Sequence, residues 1–177
     1  GENIVEITDN EINNNTGTYG YSAYFAYIVG DNANRNIIAR NKIQINSGTY
    51  FYNYLSYYCD FADIFNNEVT ASGTYGSMYL YYSDEINFFN NTVSLNTTAS
   101  TSPSYGVYYY NTNASRFYNN TINVIGTSPT AYGGYFYSSS STYSDNEIRN
   151  NVFSSTGSDG IGLYWSNSGD NNTSDYN

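Results

Sequence analysis

Apolar and polar residues follow a hexad that recurs along the chain, with an apolar residue at each end and asparagine at the fourth position. The copies span residues 7–12, 38–43, 64–69, 88–93, 117–122 and 148–153. Their asparagines are Asn10, Asn41, Asn67, Asn91, Asn120 and Asn151, which gives steps of 31, 26, 24, 29 and 31 residues. Self-similarity at this period predicts a solenoid, in which each repeat forms one coil and the loops absorb the differences in length.

The two apolar residues of each hexad lie five positions apart on either side of the asparagine, so a straight strand cannot turn both inward. A bend at the asparagine solves this, because asparagine tolerates the left-handed and bridge conformations of a sharp turn. Coils of a β-solenoid stack about 4.8 Å apart. The six asparagines are therefore predicted to form an internal ladder, in which each side-chain amide hydrogen-bonds to those of neighbouring coils.

A second motif follows each hexad. It consists of a short turn sequence, often Tyr-Gly, and then a predicted strand whose side chains alternate between the two faces, such as 107–110 and 134–137. The alternation predicts an inward column of Phe25, Leu55, Leu80, Tyr109, Phe136 and Leu163. It predicts a first outward file of Tyr24, Tyr54, Tyr79, Tyr108 and Tyr135. A second outward file consists of Tyr81, Tyr110, Tyr137 and Tyr164.

These repeats resemble the right-handed parallel β-helices of the pectin-lyase-like superfamily, whose coils carry an Ile-x-Asn-Asn-x-Ile element followed by a Tyr-Gly-Ile-Tyr-like strand. The resemblance covers essentially the whole chain. It implies an all-β fold, a right-handed parallel β-helix (β-solenoid) of about six coils with three short strands per coil. We expect a single domain over residues 1–177 that is a segment of a longer solenoid or a stacking subunit, because solenoids need their end coils covered.

The composition narrows the classes of function. The 177 residues include five basic and fifteen acidic side chains, a formal net charge of −10, so the phosphates of a nucleic acid would be repelled. The chain has no histidine, the commonest general base and transition-metal ligand. Its single cysteine, Cys59, is expected to be a small buried residue rather than a reactive thiol. No apolar stretch reaches the length of a membrane span, so membrane insertion is not expected.

The resemblance leaves the activity open, because the superfamily includes polysaccharide lyases, glycoside hydrolases, phage tailspikes and bacterial surface adhesins. Glycoside hydrolysis needs two carboxylates at a defined separation. The acidic pairs of this chain precede hexads, where solvated corner positions explain them more simply. No catalytic residue is therefore predicted. No cofactor is predicted either, although Asp60 and Asp63 could share a calcium ion with Asp84 or Glu85 on the next coil.

The outward tyrosines are the candidate binding surface, because tyrosine combines an apolar ring with a hydroxyl, which suits glycan chains or partner proteins. The predicted contact residues are Tyr79, Tyr81, Tyr108, Tyr110, Tyr135 and Tyr137. Aromatic neighbours also stabilise a sheet by themselves, so a purely structural role stays open.

The content of Tyr, Asn and Ser is similar to that of large secreted surface proteins. We therefore expect a non-catalytic extracellular stalk or fibre segment with structural and adhesive roles. Its expected partners are further coils of the same chain, head-to-tail copies or polysaccharide. A carbohydrate-active enzyme and a phage tail-fibre segment are the alternatives.

Overall fold

The computed structural model describes residues 4–14, 19–46, 50–73, 76–98, 102–166, 171–175 and 177. These residues form strands joined by turns, and none of them lies in a helix. The strands, in chain order, are β1 (Glu6–Thr8), β2 (Glu11–Asn14), β3 (Tyr19–Ala26), β4 (Asn36–Ala39), β5 (Lys42–Asn46), β6 (Tyr50–Tyr57), β7 (Ala62–Phe65), β8 (Glu68–Gly73), β9 (Gly76–Tyr81), β10 (Asn87–Phe89), β11 (Thr92–Thr97), β12 (Ser104–Tyr110), β13 (Arg116–Tyr118), β14 (Thr121–Gly126), β15 (Thr130–Tyr137), β16 (Glu147–Arg149), β17 (Val152–Thr156), β18 (Asp159–Ser166) and β19 (Thr173–Asp175).

The strands stack into three sheets, and each turn of the chain contributes one strand to each sheet. Sheet A has the order β1-β4-β7-β10-β13-β16-β19, sheet B the order β2-β5-β8-β11-β14-β17, and sheet C the order β3-β6-β9-β12-β15-β18. Neighbouring strands are parallel in all three sheets. The fold is therefore an all-β parallel β-solenoid of about five turns, which confirms the predicted fold class and comes close to the predicted six coils.

The core consists of apolar columns that run along the solenoid, one side chain per coil. The first residues of the hexads form one column in sheet A and the last residues form another in sheet B, and most members are at most 5% exposed. In the sheet A column the rings of Phe88 and Phe117 stack with their centroids 4.5 Å apart. Each fully buried aliphatic or aromatic side chain contributes about 1.5–3 kcal/mol relative to an exposed one. The hexad pattern therefore supplies both the bend and two of the apolar columns of the core.

The bend of each hexad lies one residue earlier than predicted. The left-handed residues are the ones that precede the ladder asparagines, with φ angles between 54° and 59°: Asp9, Arg40, Asn66, Asn90, Asn119 and Asn150. The ladder asparagines themselves do not have positive φ. The bend and the ladder thus use two different residues. The left-handed residue can face solvent, while the asparagine that follows it directs its amide into the ladder.

The register of sheet C differs from the prediction in β6, which lies next to the end strand β3, and in β18 at the opposite end. Leu55, predicted to point inward, is aligned with the outward Tyr79, and Tyr54 is aligned with the buried Met78. By backbone register, the strand positions aligned with Leu80, Tyr109 and Phe136 are those of Ser56 at one end and Trp165 at the other. Since side chains alternate with a period of two, a shift of one residue exchanges the two faces of a strand.

At the other end of sheet C, Leu163 is aligned with Gly134, and Tyr164 is aligned with Tyr135. Leu163 still packs against the core, although it belongs to the neighbouring inward column, which also contains Val107. Tyr164 therefore belongs to the first outward file and not to the second. The loop before this strand absorbs the difference in repeat length and thereby sets the register.

Candidate functional surface

The six predicted asparagines form a continuous hydrogen-bonded ladder inside the corner between sheets A and B. The side-chain amide of each one donates to the Oδ1 atom of the asparagine in the next coil. The Nδ2–Oδ1 distances are 2.9 Å for Asn10–Asn41, 3.0 Å for Asn41–Asn67, 3.0 Å for Asn67–Asn91, 3.1 Å for Asn91–Asn120 and 2.9 Å for Asn120–Asn151. The second amide proton donates to a backbone carbonyl, as from Asn67 to Ile38 at 2.9 Å. Buried amides are thus fully paired along the stack.

The ladder has a seventh member that the sequence pattern missed. Asn151 Nδ2 donates to Asn177 Oδ1 at 3.0 Å, and the backbone N–H of Asn151 donates to the same oxygen at 3.1 Å. The apolar first position of this repeat is occupied by Ser174, so the hexad is not recognisable there. The signal that identifies Asn177 is the step of 26 residues from Asn151, which falls within the range of the other steps.

A second polar column lies at the corner between sheets C and A, and it was not predicted. Ser115 donates its backbone N–H to Asn146 Oδ1 at 3.1 Å, and Asn146 donates its own to Asn172 Oδ1 at 2.8 Å. Asn36 plays the same role near the other end of the solenoid, accepting from Val5 N at 3.1 Å. Ala62 takes the equivalent place in the coil that follows Asn36, so the sequence shows no regular asparagine there.

The outer face of sheet C carries the predicted tyrosines in aligned files. We define the tyrosine face as Tyr79, Tyr81, Tyr108, Tyr110, Tyr135, Tyr137 and Tyr164. In the first file the ring centroids lie 5.3, 5.0 and 4.6 Å apart along the series Tyr79, Tyr108, Tyr135 and Tyr164. In the second file the distances are 5.3 and 5.6 Å along Tyr81, Tyr110 and Tyr137. Tyr57 extends the second file by register.

The way the rings stack determines which of their atoms are accessible on the tyrosine face. Along the first file the ring planes are within 21° of parallel, so each ring covers the faces of its neighbours. The surface therefore presents ring edges and hydroxyls, while most ring faces are hidden. Burial and the nearby Tyr81 and Tyr135 raise the pKa of Tyr108 well above the ordinary value for tyrosine.

Tyr79 differs from the other predicted contact residues because only 3% of it is exposed. Its ring lies over Gly76, where a Cβ atom would be 2.4 Å from Tyr79 Cε2. Tyr79 is therefore buried, whereas the alternating pattern predicted it to be exposed on the outer face. The residue supports the tyrosine face from beneath, since the absence of a side chain at Gly76 lets the ring lie flat against the sheet.

A more exposed aromatic cluster lies at the corner that follows sheet C, and we call it the corner stack: Tyr27, Tyr58 and Tyr82. Their ring centroids are 5.6 and 5.1 Å apart, and both pairs of ring planes are within 10° of parallel. Tyr27 is 71% exposed and Tyr58 is 40% exposed. The pattern of alternating residues did not reveal this cluster. The only sequence signal is a tyrosine directly after the last residue of three successive sheet C strands.

The backbone of the corner stack is strained. Tyr27, Tyr58 and Tyr82 have φ angles of 56°, 51° and 49°, in the left-handed region. This conformation costs about 1–2 kcal/mol for an ordinary L-residue, and asparagine is one of the few residues that adopts it readily. Asn111 takes the equivalent position in the next coil, with φ of 51°. Tyrosine thus replaces the residue type that this bend favours, in three consecutive coils and at an exposed site.

Two of the three calcium candidates lie together, close to the corner stack. The backbone N–H of Asp84 donates to Asp60 Oδ1 at 2.9 Å. Burial, followed by repulsion from Asp60, raises the pKa of Asp84 to about 6, although a hydrogen bond from the backbone of Asn113 opposes the shift. Asp60 and Asp84 therefore cap the backbone of the following coil and repel one another.

The third candidate, Asp63, is engaged elsewhere on the outer side of sheet A. It accepts hydrogen bonds from Arg35 Nε at 2.6 Å and from Asn87 Nδ2 at 2.7 Å. The structure therefore does not bring Asp60, Asp63 and Asp84 together. Within the described part of the chain, no three His, Cys, Asp or Glu side chains are grouped so that they could hold a metal ion.

Cys59 lies between the corner stack and the acidic pair and is 2% exposed. Its backbone N–H donates to Ser83 Oγ at 3.1 Å, and its Sγ lies 3.6 Å from the carbonyl oxygen of Tyr57. The residue is a small buried side chain, as predicted, and it is aligned with Ser83 in the next coil.

The outer face of sheet B contains a shallow depression of about 140 Å³. It is lined by polar and apolar residues: Thr70, Ser94, Asn96, Asn123, Ala71, Leu95 and Ile125, the last of which is 50% exposed. Hydroxyl and amide groups thus form a second surface with hydrogen-bonding capacity on a different side of the solenoid.

No protein-family model matches the chain, and neither a curated protein nor a solved structure matches it significantly. Among the described residues, no helix has the length and apolar character needed to cross a membrane. The fold and surface define the class of protein: a parallel β-solenoid repeat protein with asparagine ladders inside and tyrosine clusters outside.

Proposed function

We propose that the protein is a non-catalytic structural and adhesive β-solenoid, an extracellular stalk or fibre segment whose tyrosine clusters bind glycan chains. The observation that carries this proposal is the strained corner stack of Tyr27, Tyr58 and Tyr82. Strain at exposed positions is retained where the side chain serves a function, because the bend alone would be served better by asparagine. An exposed aromatic cluster of this kind is typical of a contact surface.

Glycans suit this surface better than charged partners do. Tyrosine supplies ring carbons for the C–H groups of a sugar and a hydroxyl for its polar rim. The carboxylates of Asp60 and Asp84 lie two residues beyond Tyr58 and Tyr82 in their coils, where they add hydrogen-bond acceptors for sugar hydroxyls. The net charge of −10 disfavours polyanions such as nucleic acids and strongly acidic polysaccharides.

The extracellular stalk assignment rests on the resemblance to pectin-lyase-like β-helices and on the Tyr, Asn and Ser content. Stacking with further coils or with a second copy, head to tail, is part of the proposal. It is supported by the turn that contains β17 and β18, where Phe153, Leu163 and Trp165 pack against the core but are only partly buried. A further coil placed on this turn would cover apolar surface and extend the sheets.

A panel of neutral insoluble polysaccharides tests the proposed function by co-sedimentation with the protein. We expect at least one polysaccharide to retain the wild-type protein, and retention to fall when Tyr27, Tyr58 and Tyr82 are all replaced by asparagine. Tyr118→Phe is the matched control, because Tyr118 donates its hydroxyl to Glu147 on sheet A, away from the corner stack. Equal retention of the wild type and the triple variant would contradict the proposal.

A carbohydrate-active enzyme is the second candidate, and the Asp60–Asp84 pair favours it. Two carboxylates on adjacent coils, one with a pKa raised to about 6, combine an acid with a base. Incubation with polysaccharides, followed by measurement of new reducing or unsaturated ends, distinguishes the two functions. Turnover that disappears in Asp84→Asn would identify an enzyme, whereas binding without turnover supports the non-catalytic proposal.

A further inference from the structure

Tyrosine is the exposed oxidisable side chain of this protein. The chain contains one cysteine, one methionine, one tryptophan and no histidine. Cys59 and Met78 are 2% and 0% exposed, and Trp165 packs against the core. An oxidant that reaches the surface from solvent therefore meets tyrosines first, and the most exposed of the described tyrosines is Tyr27.

The corner stack places three phenols on adjacent coils at close range. Tyr58 lies between the other two, with ring centroids 5.6 Å from Tyr27 and 5.1 Å from Tyr82. Because the rings cover one another's faces, the exposed area of Tyr58 lies mainly at its edge. The ring edge carries the hydroxyl and the two carbons beside it, and those carbons are the positions at which tyrosyl radicals couple. The exposure of Tyr27 also leaves its ring room to tilt toward its neighbour.

We propose that Tyr58 is a site of oxidative cross-linking, which couples it to Tyr27 or Tyr82 when a haem peroxidase and hydrogen peroxide act on the folded protein. Each phenol loses one electron and one proton to the oxidant and becomes a phenoxyl radical. A carbon–carbon bond then forms between a ring carbon beside each hydroxyl. The hydrogens on those two carbons move to the oxygens and restore both aromatic rings. The protein loses two hydrogen atoms in total, and one hydrogen peroxide is reduced to two waters.

The product would join coils that lie 31 or 24 residues apart in the chain, which are the separations of Tyr58 from Tyr27 and from Tyr82. The product would thus be a covalent cross-link between coils, in a protein whose single cysteine cannot form an intrachain disulfide. A link of this kind stabilises mainly by restricting the unfolded chain. This modification goes beyond glycan binding and does not depend on it.

The test treats dilute folded protein with horseradish peroxidase and hydrogen peroxide, so that coupling within one molecule dominates. We expect a mass decrease of two hydrogen atoms, dityrosine fluorescence, a cross-linked peptide that contains Tyr58, and a higher melting temperature. Tyr58→Phe keeps the ring and its stacking but has no phenolic hydrogen to lose, so most of the product should disappear. Tyr118→Phe should leave the yield unchanged.

Two results would overturn the proposal. One is an unchanged yield of the intramolecular product in Tyr58→Phe. The other is a product that maps mainly to the stacked pair Tyr105–Tyr132, whose centroids are 5.4 Å apart on sheet C. Wild-type protein that cross-links at Tyr58 but is retained by none of the polysaccharides would uphold this modification while contradicting the proposed function.

Discussion

Asn67 donates both its side-chain amide and its backbone N–H to Asn91 Oδ1, each at 3.0 Å, so a single oxygen accepts two hydrogen bonds from the previous coil. Asn91 in turn donates its amide to Asn120 Oδ1 and to the carbonyl of Ile64. The residue is 1% exposed, so water cannot replace these bonds. The ladder is therefore a cooperative element that holds adjacent coils in register.

Replacement of Asn91 by alanine should destabilise the protein by roughly 3 kcal/mol, because it leaves two buried donors of Asn67 and the carbonyl of Ile64 unpaired. Asn10→Ala is the control, since Asn10 is an exposed rung at one end of the described ladder. It should cost less than about 1 kcal/mol. Urea denaturation measures both values, and equal losses of stability for the two variants would contradict an internal ladder.

Ala114 has a φ of 48°, a left-handed conformation that alanine adopts poorly. Ala114→Gly should therefore stabilise the protein by about 0.5–1 kcal/mol. Ala71→Gly is the matched control, because Ala71 is buried in β8 with ordinary strand geometry and glycine there should destabilise by about 1 kcal/mol. Thermal unfolding of the two variants should shift the melting temperature in opposite directions, and a loss of stability in Ala114→Gly would show that this bend is not strained.

Asp84 makes stability depend on pH. Its pKa is raised from 3.8 to about 6 in the folded protein, so the folded state holds the proton more tightly than the unfolded chain does. Protonated Asp84 therefore contributes its full stabilisation below pH 3.8, the unfolded-state pKa. This contribution is lost as the pH rises through about 6, the folded-state pKa. Because solvent screens this half-buried carboxyl, we expect a loss of about 1 kcal/mol.

Asp84→Asn should remove this pH dependence and should be more stable than the wild type above pH 6, since Asn113 shows that an amide fits the equivalent place in the next coil. Asp60→Asn should also weaken the dependence, because it removes the repulsion while keeping an oxygen for the Asp84 N–H. Denaturation curves between pH 4 and 7 measure both effects. An Asp84→Asn variant that retains the wild-type pH dependence would rule out this carboxyl as its source.

The fold, the core and the ladder could be predicted because the hexad imposes the same physical requirement in every coil. Ile64, for example, must be buried on one side of a bend and Val69 on the other, and the asparagine between them must find a partner. The register of sheet C was less predictable. In the strand that contains Tyr54 and Leu55, aromatic and polar residues do not alternate strictly, so the two faces cannot be told apart from the sequence.

The candidate surface was predicted only in part. The tyrosine face follows from the alternation of side chains along the strands. The burial of Tyr79, in contrast, depends on its ring lying over Gly76, and this side-chain conformation cannot be predicted from the pattern of residue types. The corner stack escaped prediction for a different reason. Tyr27, Tyr58 and Tyr82 occupy left-handed positions that tyrosine rarely takes, so residue preferences argued against a bend at these residues.

Glycan binding by the corner stack is tested most directly by the affinities of the wild-type protein and of the Tyr27→Asn/Tyr58→Asn/Tyr82→Asn variant for the polysaccharide selected by co-sedimentation, measured as adsorption isotherms. We expect the variant to unfold at or near the wild-type temperature, because asparagine suits the three left-handed positions. We expect the variant to bind the polysaccharide at least about tenfold more weakly than the wild type, which is equivalent to about 1.4 kcal/mol. An equally stable variant that binds the polysaccharide as tightly as the wild type would contradict glycan binding by the corner stack.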